Sequence, residues 1–290
     1  MKPPLHGDLT LSILPPTIES MTYELGIIGA GNMAEAIVRG VIRAGLFTPG
    51  QIIAADVSPQ RRELFERELK VHAVEENAHA ARQAKVLLLS VKPQQMQAAL
   101  AGIGAAADAR TLVISIAAGI GSAYIEQHLG AGKKWRVIRA MPNTPMLVGE
   151  GMVGIARGAH ATAEDVIVAR RIFESAAAVL EVGEDKIDAV TALSGSGPAY
   201  FFYLVENMMK AGIEMGLTPE QSHQLATRTA LGAAKLLTTS ADSPEELRRK
   251  VTSPGGTTHA AITHLDGQNV ARAIVDAVLA AERRGNELGK

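Results

Sequence analysis

Tyr23-Glu24-Leu25-Gly26-Ile27-Ile28-Gly29-Ala30-Gly31-Asn32-Met33-Ala34 is the stretch that decides the fold. Tyr23–Ile28 is a short apolar run ending on a glycine, and Met33, Ile37, Val38, Val41 and Ile42 then recur at helical spacing. The run predicts a buried strand and the recurrence an amphipathic helix. Gly29 permits the tight turn between them. Gly31 lets the backbone approach a pyrophosphate, Ala34 is small enough for helix-on-strand packing, and the helix start offers free N–H groups to phosphates. Such a turn alone is a weak signal, but here an acid ends the next strand (residues 51–56). A carboxylate at Asp56 would bind both ribose hydroxyls of NAD and repel the 2′-phosphate of NADP. Arg61 and Arg62 follow and could pair with that phosphate instead. The residues leave this choice open, along with a plain capping role for Asp56 before Ser58-Pro59.

Further strands are predicted at residues 86–91, 111–117 and 137–140, with a helix over 59–69 that begins on Pro59. Residues 152–156 and 179–182 read as edge strands around a helix over 164–178. Strands alternating with helices argue for βαβ units and a parallel sheet. After Gly183 the pattern turns helical: 198–215, 219–238, 244–251, 257–266 and 270–288, with Pro198, Pro219 and Pro244 in first turns. The expected class is α/β, a Rossmann-type doubly wound sheet followed by an all-helical C-terminal domain. Residues 21–183 would form the first domain and 184–290 the second. Residues 1–20 carry four prolines without periodicity and read as a loose, disordered extension holding no chemistry, with no signal-peptide pattern.

Composition narrows the function classes. A net charge of -1 offers no field for nucleic acid or an anionic membrane, and no apolar run approaches a membrane span. The absence of cysteine excludes thiol catalysis, iron–sulfur clusters and cysteine-ligated zinc, and fits a cytoplasmic location. No metal site is expected. His259 and His264 stand five apart, which is off a common helix face, and read as surface or packing residues.

The carboxyl ends of strands line the cofactor crevice of an open parallel sheet. That places Ser90, Val91, Lys92 and Pro93, and then Ala117, Ala118 and Gly119, along a dinucleotide. Lys92 is either a catalytic acid or a support for a loop or ribose. Pro142 and Pro145 stiffen a loop that would fix Asn143 beside a nicotinamide. Two hydroxyl- and glycine-rich stretches, residues 193–198 with Ser196 and Gly197, and 252–258 with Ser253, Gly255, Gly256, Thr257 and Thr258, precede predicted helices. Each reads either as an elaborate N-cap or as an anion cradle. Two of them downstream of a dinucleotide domain point to a small carboxylate substrate. A strong general acid or base is lacking, which suits reduction of an already protonated substrate better than oxidation of an alcohol.

Six blocks in this order resemble pyrroline-5-carboxylate reductase: Gly29–Glu35 (GAGNMAE), 91–94 (VKPQ), 115–119 (SIAAG), 139–145 (RAMPNTP), 189–200 (AVTALSGSGPAY) and 251–258 (VTSPGGTT). The resemblance implies NAD(P)H-dependent reduction of (S)-1-pyrroline-5-carboxylate to proline, the last step of proline biosynthesis. It implies a homodimer with interleaved helical domains and allows larger rings, a decamer among them. Cofactor contacts would fall on Ile28, Gly29, Ala30, Gly31, Asn32, Met33 and Asn77, besides the strand ends. NADPH is the usual family choice, which Asp56 leaves in doubt. The N–H groups of Gly256, Thr257 and Thr258, with the Ser253 hydroxyl, would hold the substrate carboxylate. The Thr258 hydroxyl would bond the ring nitrogen. Two other readings compete. Another imine reductase or a β-hydroxyacid dehydrogenase is one, although the latter would carry a lysine absent from residues 194–202. A dinucleotide-binding regulator without turnover is the other.

Overall fold

The computed structural model describes residues 22–130 and 132–288, so the expectation for residues 1–20 lies outside the described residues. Eight strands form one sheet in the order β3-β2-β1-β4-β5-β6-β7-β8. They are β1 (Tyr23–Ile28), β2 (Ile52–Ala55), β3 (His72–Val74), β4 (Ala84–Leu89), β5 (Leu112–Ser115), β6 (Arg136–Met141), β7 (Gly151–Arg157) and β8 (Ala177–Glu181). Strands β1 to β6 are mutually parallel. β7 runs antiparallel to β6 and parallel to β8.

Side-chain alternation explains the layers. Leu25 and Ile27 of β1, with Val86 and Leu88 of β4, point to one face and pack under α1 (Asn32–Arg43), α2 (Pro59–Arg67) and α6 (Ala163–Phe173). Ile28, Leu87 and Leu89 point the other way, against α3 (Asn77–Gln83), α4 (Met96–Ile103) and α5 (Ser122–Leu129). Each such fully buried aliphatic side chain contributes about 1.5–3 kcal/mol. Gly40 of α1 marks close helix contact, since an added Cβ would meet Ser175 Oγ at 2.8 Å and Ala176 Cβ at 2.9 Å.

Two predicted features need correction. The helix expected over 164–178 stops at Phe173, because Ala176 turns back to bond Phe173 O and its own carbonyl takes the Gly151 N–H. Ala177 and Ala178 then pair with Gly151 and Met152 in β8. The strand expected at 152–156 is not an edge: β7 lies between β6 and β8, and only the second of the pair borders solvent.

Beyond β8 the described chain is helical: α7 (Ile187–Val190), a π-helical stretch at Thr191–Gly195, α8 (Gly197–Glu214), α9 (Pro219–Thr239), α10 (Pro244–Lys250), α11 (Thr257–Gly267) and α12 (Val270–Leu288). Thr218 and Ser243 close capping boxes with Gln221 and Glu246. α8 turns through Gly216, at φ +89°, into α9. An added Cβ at Gly212 would lie 2.6 Å from Ser222 Oγ, so these two helices touch closely. Among the described residues past Ala176, Ile187, Ala192 and Ala226 are the only buried hydrophobic residues.

Candidate active site

The strand order reverses at β1, with β2 on one side and β4 on the other, and ligands of open α/β sheets bind outside the carboxyl ends of the strands at such a point. Backbone bonds tie those ends together: Gly29 N–H to Ala55 O at 2.8 Å, Ser90 N–H to Ile28 O at 2.8 Å, and Ile116 N–H to Leu89 O at 3.0 Å. Gly29 sits at φ +93°, and a Cβ there would strike Ser90 O at 2.9 Å. A Cβ on Gly31 would meet nothing within 4 Å. That open space lies at the N-cap of α1, which no side chain caps. The first N–H groups of α1, at Asn32 and Met33, therefore have no intrahelical acceptor. A pyrophosphate fits this cradle by charge and by space.

Around the turn, the structure brings Asp56, Arg61, Ser90–Lys92 and Ala117–Gly119 to one end of the sheet. Asp56 accepts the Ala30 N–H at 2.7 Å through one oxygen and the Ser58 N–H at 2.8 Å through the other. Arg61 donates to Ala30 O and to Glu35 at 2.9 Å, so it is not the free partner for a phosphate that sequence reasoning pictured. Arg62 is held by the Asp56 and Val57 carbonyls and by Glu75. Lys92 is exposed and precedes a 3-10 turn at Pro93–Gln95. Asn77 opens α3, past the end of β3. Gly119, at φ +75°, turns the chain after β5.

Asn143 is 91% buried and anchored twice, accepting the Met152 N–H at 2.8 Å and donating to Ser194 O at 3.1 Å. This bond draws the 191–198 segment against the end of β6, where Gly195 meets Met141: a Cβ on it would be 2.8 Å from Met141 Cε. At the first hydroxyl- and glycine-rich stretch a bend at Ser196 separates the π-helical segment from α8. Ser196 is the N-cap of α8 (φ −83°, ψ −20°), its own N–H is given to Thr191 O at 2.8 Å, and no side chain caps the helix start at Gly197. Ser194 lies beside Asn143 at the carboxyl end of β6, and its hydroxyl is buried without a hydrogen-bond partner.

The second cradle also begins a helix. Gly255, at φ +72°, and Gly256 lead into α11, whose N-terminus has no side-chain cap. Gly256 departs from expectation: its N–H is already given to Ser253 O at 3.0 Å, leaving the Thr257 and Thr258 N–H groups for an anion. Every hydrogen bond of this loop is local. The segment is open to solvent within the protomer.

Glu184 was missed by sequence reasoning. Its carboxylate accepts the Ser122 N–H at 2.7 Å and hydroxyl at 2.6 Å, and pairs with the buried Arg139 at 3.4 Å. It thus caps α5, just past the Gly119 turn, from the first residues beyond the sheet. Only a fold could reveal it, since 62 residues separate it from Ser122. A cavity of about 480 Å³ lies at the opposite, amino end of the sheet, but its Lys85–Glu24 and Arg136–Asp165 pairs are closed at 2.7 and 2.8 Å, far from this chemistry. Among the described residues no His, Asp or Glu group could hold a metal, and no helix is long and apolar enough to cross a membrane.

Comparison with known proteins fits both halves. Residues 184–288 match the family model described as pyrroline-5-carboxylate reductase dimerisation, and residues 24–119 match one described as NADP oxidoreductase, coenzyme F420-dependent. A pyrroline-5-carboxylate reductase of Synechocystis sp. is 40% identical over 270 residues, covering 93% of this chain and 100% of that protein. The chain belongs to the pyrroline-5-carboxylate reductase family. A solved pyrroline-5-carboxylate reductase from Coxiella burnetii superposes with a TM-score of 0.85 at 37% identity, over 93% of this chain and 99% of that one. The Plasmodium falciparum pyrroline carboxylate reductase, solved with NADP bound, gives 0.83 at 27% identity, again over 93% and 99%. Membership in this family makes the chain an oxidoreductase that uses a nicotinamide dinucleotide.

Proposed function

We propose that this chain reduces the C=N bond of (S)-1-pyrroline-5-carboxylate to give proline, in a site shared between two copies. The observation that carries the reading is a pair of complementary half-sites. One is the uncapped α1 start with its glycine turn; the other is the uncapped α11 start with its free threonines. The bound dinucleotide supplies the hydride. The chain supplies position and charge. Residues 21–183 would hold the dinucleotide along the strand ends, with Ser90, Val91, Pro93, Ala117 and Ala118 forming its walls. Residues 184–290 would present the carboxylate cradle to the partner's crevice.

In that cradle the Thr257 and Thr258 N–H groups and the Ser253 hydroxyl take the substrate carboxylate at the positive end of α11. The Thr258 hydroxyl then bonds the ring nitrogen, fixing the imine carbon about 3–3.5 Å from the hydride donor. Protonation in solvent makes the imine an iminium, a better acceptor, so no strong acid is required of the chain. Asn143 and Glu184 act at one remove by holding the β6 end and the α5 start in register.

Two copies are needed because residues 201–204 of α8 make its early turns apolar all round. Phe201, Phe202, Tyr203 and Leu204 are consecutive and 56–70% exposed, so no single neighbour on one side could cover them. Interleaving with a second helical domain does, and rings of such dimers, a decamer among them, are the larger assembly proposed. The reading is tested by absorbance of NADH or NADPH on addition of the pyrroline acid, with Thr258→Val alongside. Turnover falling about 30- to 1,000-fold, about 2–4 kcal/mol, with dimer and dinucleotide binding intact is the expected result. Near-normal turnover in Thr258→Val rules out the assigned role. No oxidation of either dinucleotide by the wild type leaves the regulator reading standing.

A further inference from the structure

The adenosine end of the crevice holds a charge arrangement that the glycine turn does not require. Arg61, at the start of α2, stands beside the carboxylate that would meet a ribose. Its guanidinium is drawn back: Nε donates to Ala30 O and Nη2 to Glu35 Oε2 at 2.9 Å, while the group lies over the Phe65 ring. The N–H of the same residue goes to Asp56. The two peptide groups flanking the Ala30 Cα are thus held, one by a carboxylate and the next by a guanidinium.

We propose that Glu35, in the first turn of α1, sets the choice between NADH and NADPH by holding Arg61 against the glycine turn, leaving Asp56 to face the ribose and favouring NADH. The inference rests on the dinucleotide reading above and deepens it.

Glu35 is well placed for this. Its other oxygen accepts from Arg39 at 2.9 Å, and Arg39 in turn pairs with Glu68 at 2.7 Å, so the carboxylate is fixed from both sides. Burial pushes its carboxyl upward, but hydrogen bonds from Arg61 and Arg39 outweigh that and hold it below the usual range, charged at neutral pH. Glu35 and Arg61 are 17% and 23% exposed, so solvent screens the pair only in part. A 2′-phosphate brings a charge of about −1.5 to −2. It would meet Asp56 directly, while Arg61 could turn to it only by giving up Glu35. Arg62 offers no substitute, being held by two carbonyls and Glu75. Glu35→Gln removes one negative charge, keeps the side chain's shape, and releases Arg61.

Calorimetric titration of the full chain with 5′-AMP and adenosine 2′,5′-bisphosphate reads the effect without any hydride chemistry. Wild type should bind 5′-AMP more tightly. In Glu35→Gln the affinity ratio should move toward the bisphosphate by about fivefold, the scale of one partly exposed ion pair, and adding Arg61→Ala should cancel the move. A merely structural Glu35 would weaken both nucleotides alike and leave the ratio unchanged, which overturns the proposal. So does a wild type that prefers the bisphosphate. Should Glu35→Gln fail to fold, Glu35→Ala, which keeps a good helix former, must give the same shift. Failure of the wild type to bind either nucleotide strikes the dinucleotide reading itself and takes the proposal with it. Binding with an unmoved ratio strikes the proposal alone.

Discussion

Phe65 and Phe202 differ as the two halves of the molecule differ. The first is fully buried between α2 and the sheet; the second is 68% exposed on α8. The sheet half completes its core within one chain, with helices covering both faces. The helical half closes capping boxes on α9 and α10 yet buries almost no apolar side chain. Local capping and helix propensity specify where helices start and stop, but they do not stabilise a domain. On the function proposed above, the second half depends on another copy for that, and the 252–258 loop would meet its crevice in the same event, so assembly and activity would be linked.

The largest break in the comparison should come from Phe65→Ala, which removes about 3–5 kcal/mol from the sheet half. Its melting temperature should fall by the same amount at every protein concentration. Phe202→Ser should behave otherwise. It should cost about 2 kcal/mol of association, visible as dissociation in light scattering and as a melting temperature that depends on concentration. Concentration-independent melting in this variant would mean that α8 is not an interface. A finer cut comes at Gly255. An alanine forced to φ +72° costs about 1–2 kcal/mol at the loop, so KM for the pyrroline acid should rise while dinucleotide affinity stays level. Smallest of all is Asp108→Asn in the sheet half. Hydrogen bonds from the Arg110 side chain and backbone hold the Asp108 carboxyl at about 2, down from 3.8. Its stabilisation is complete above the ordinary value and is lost as pH falls through about 2. The variant should melt slightly lower at neutral pH, and the difference should shrink below the ordinary value and vanish only below about pH 2.

Much of this was legible beforehand because the signals are local. The run at β1, the glycine turn, the α1 periodicity and the five prolonged helices after Gly183 all fall close to their predicted bounds. Short elements escaped. β3 has three residues, and α3 and α5 have seven and eight, too few for a period to declare itself. The sequence extends α6 too far because the alanines at 176–178 suit a helix until pairing with β7 claims two of them for a strand. Asp56 and the 252–258 loop are readable as candidates from their neighbours in sequence. The engagement of Arg61 by Glu35, 26 residues away, and the capping of α5 by Glu184 were not.

What the amino-acid order determined by itself is the alternation of apolar runs, turns and caps, since each depends on residues within a few positions. What the tertiary structure alone decided is which charges are already spent and which surfaces remain uncovered. Those depend on partners brought together across the fold, where one ion pair or one packed face competes with every other claim on the same group.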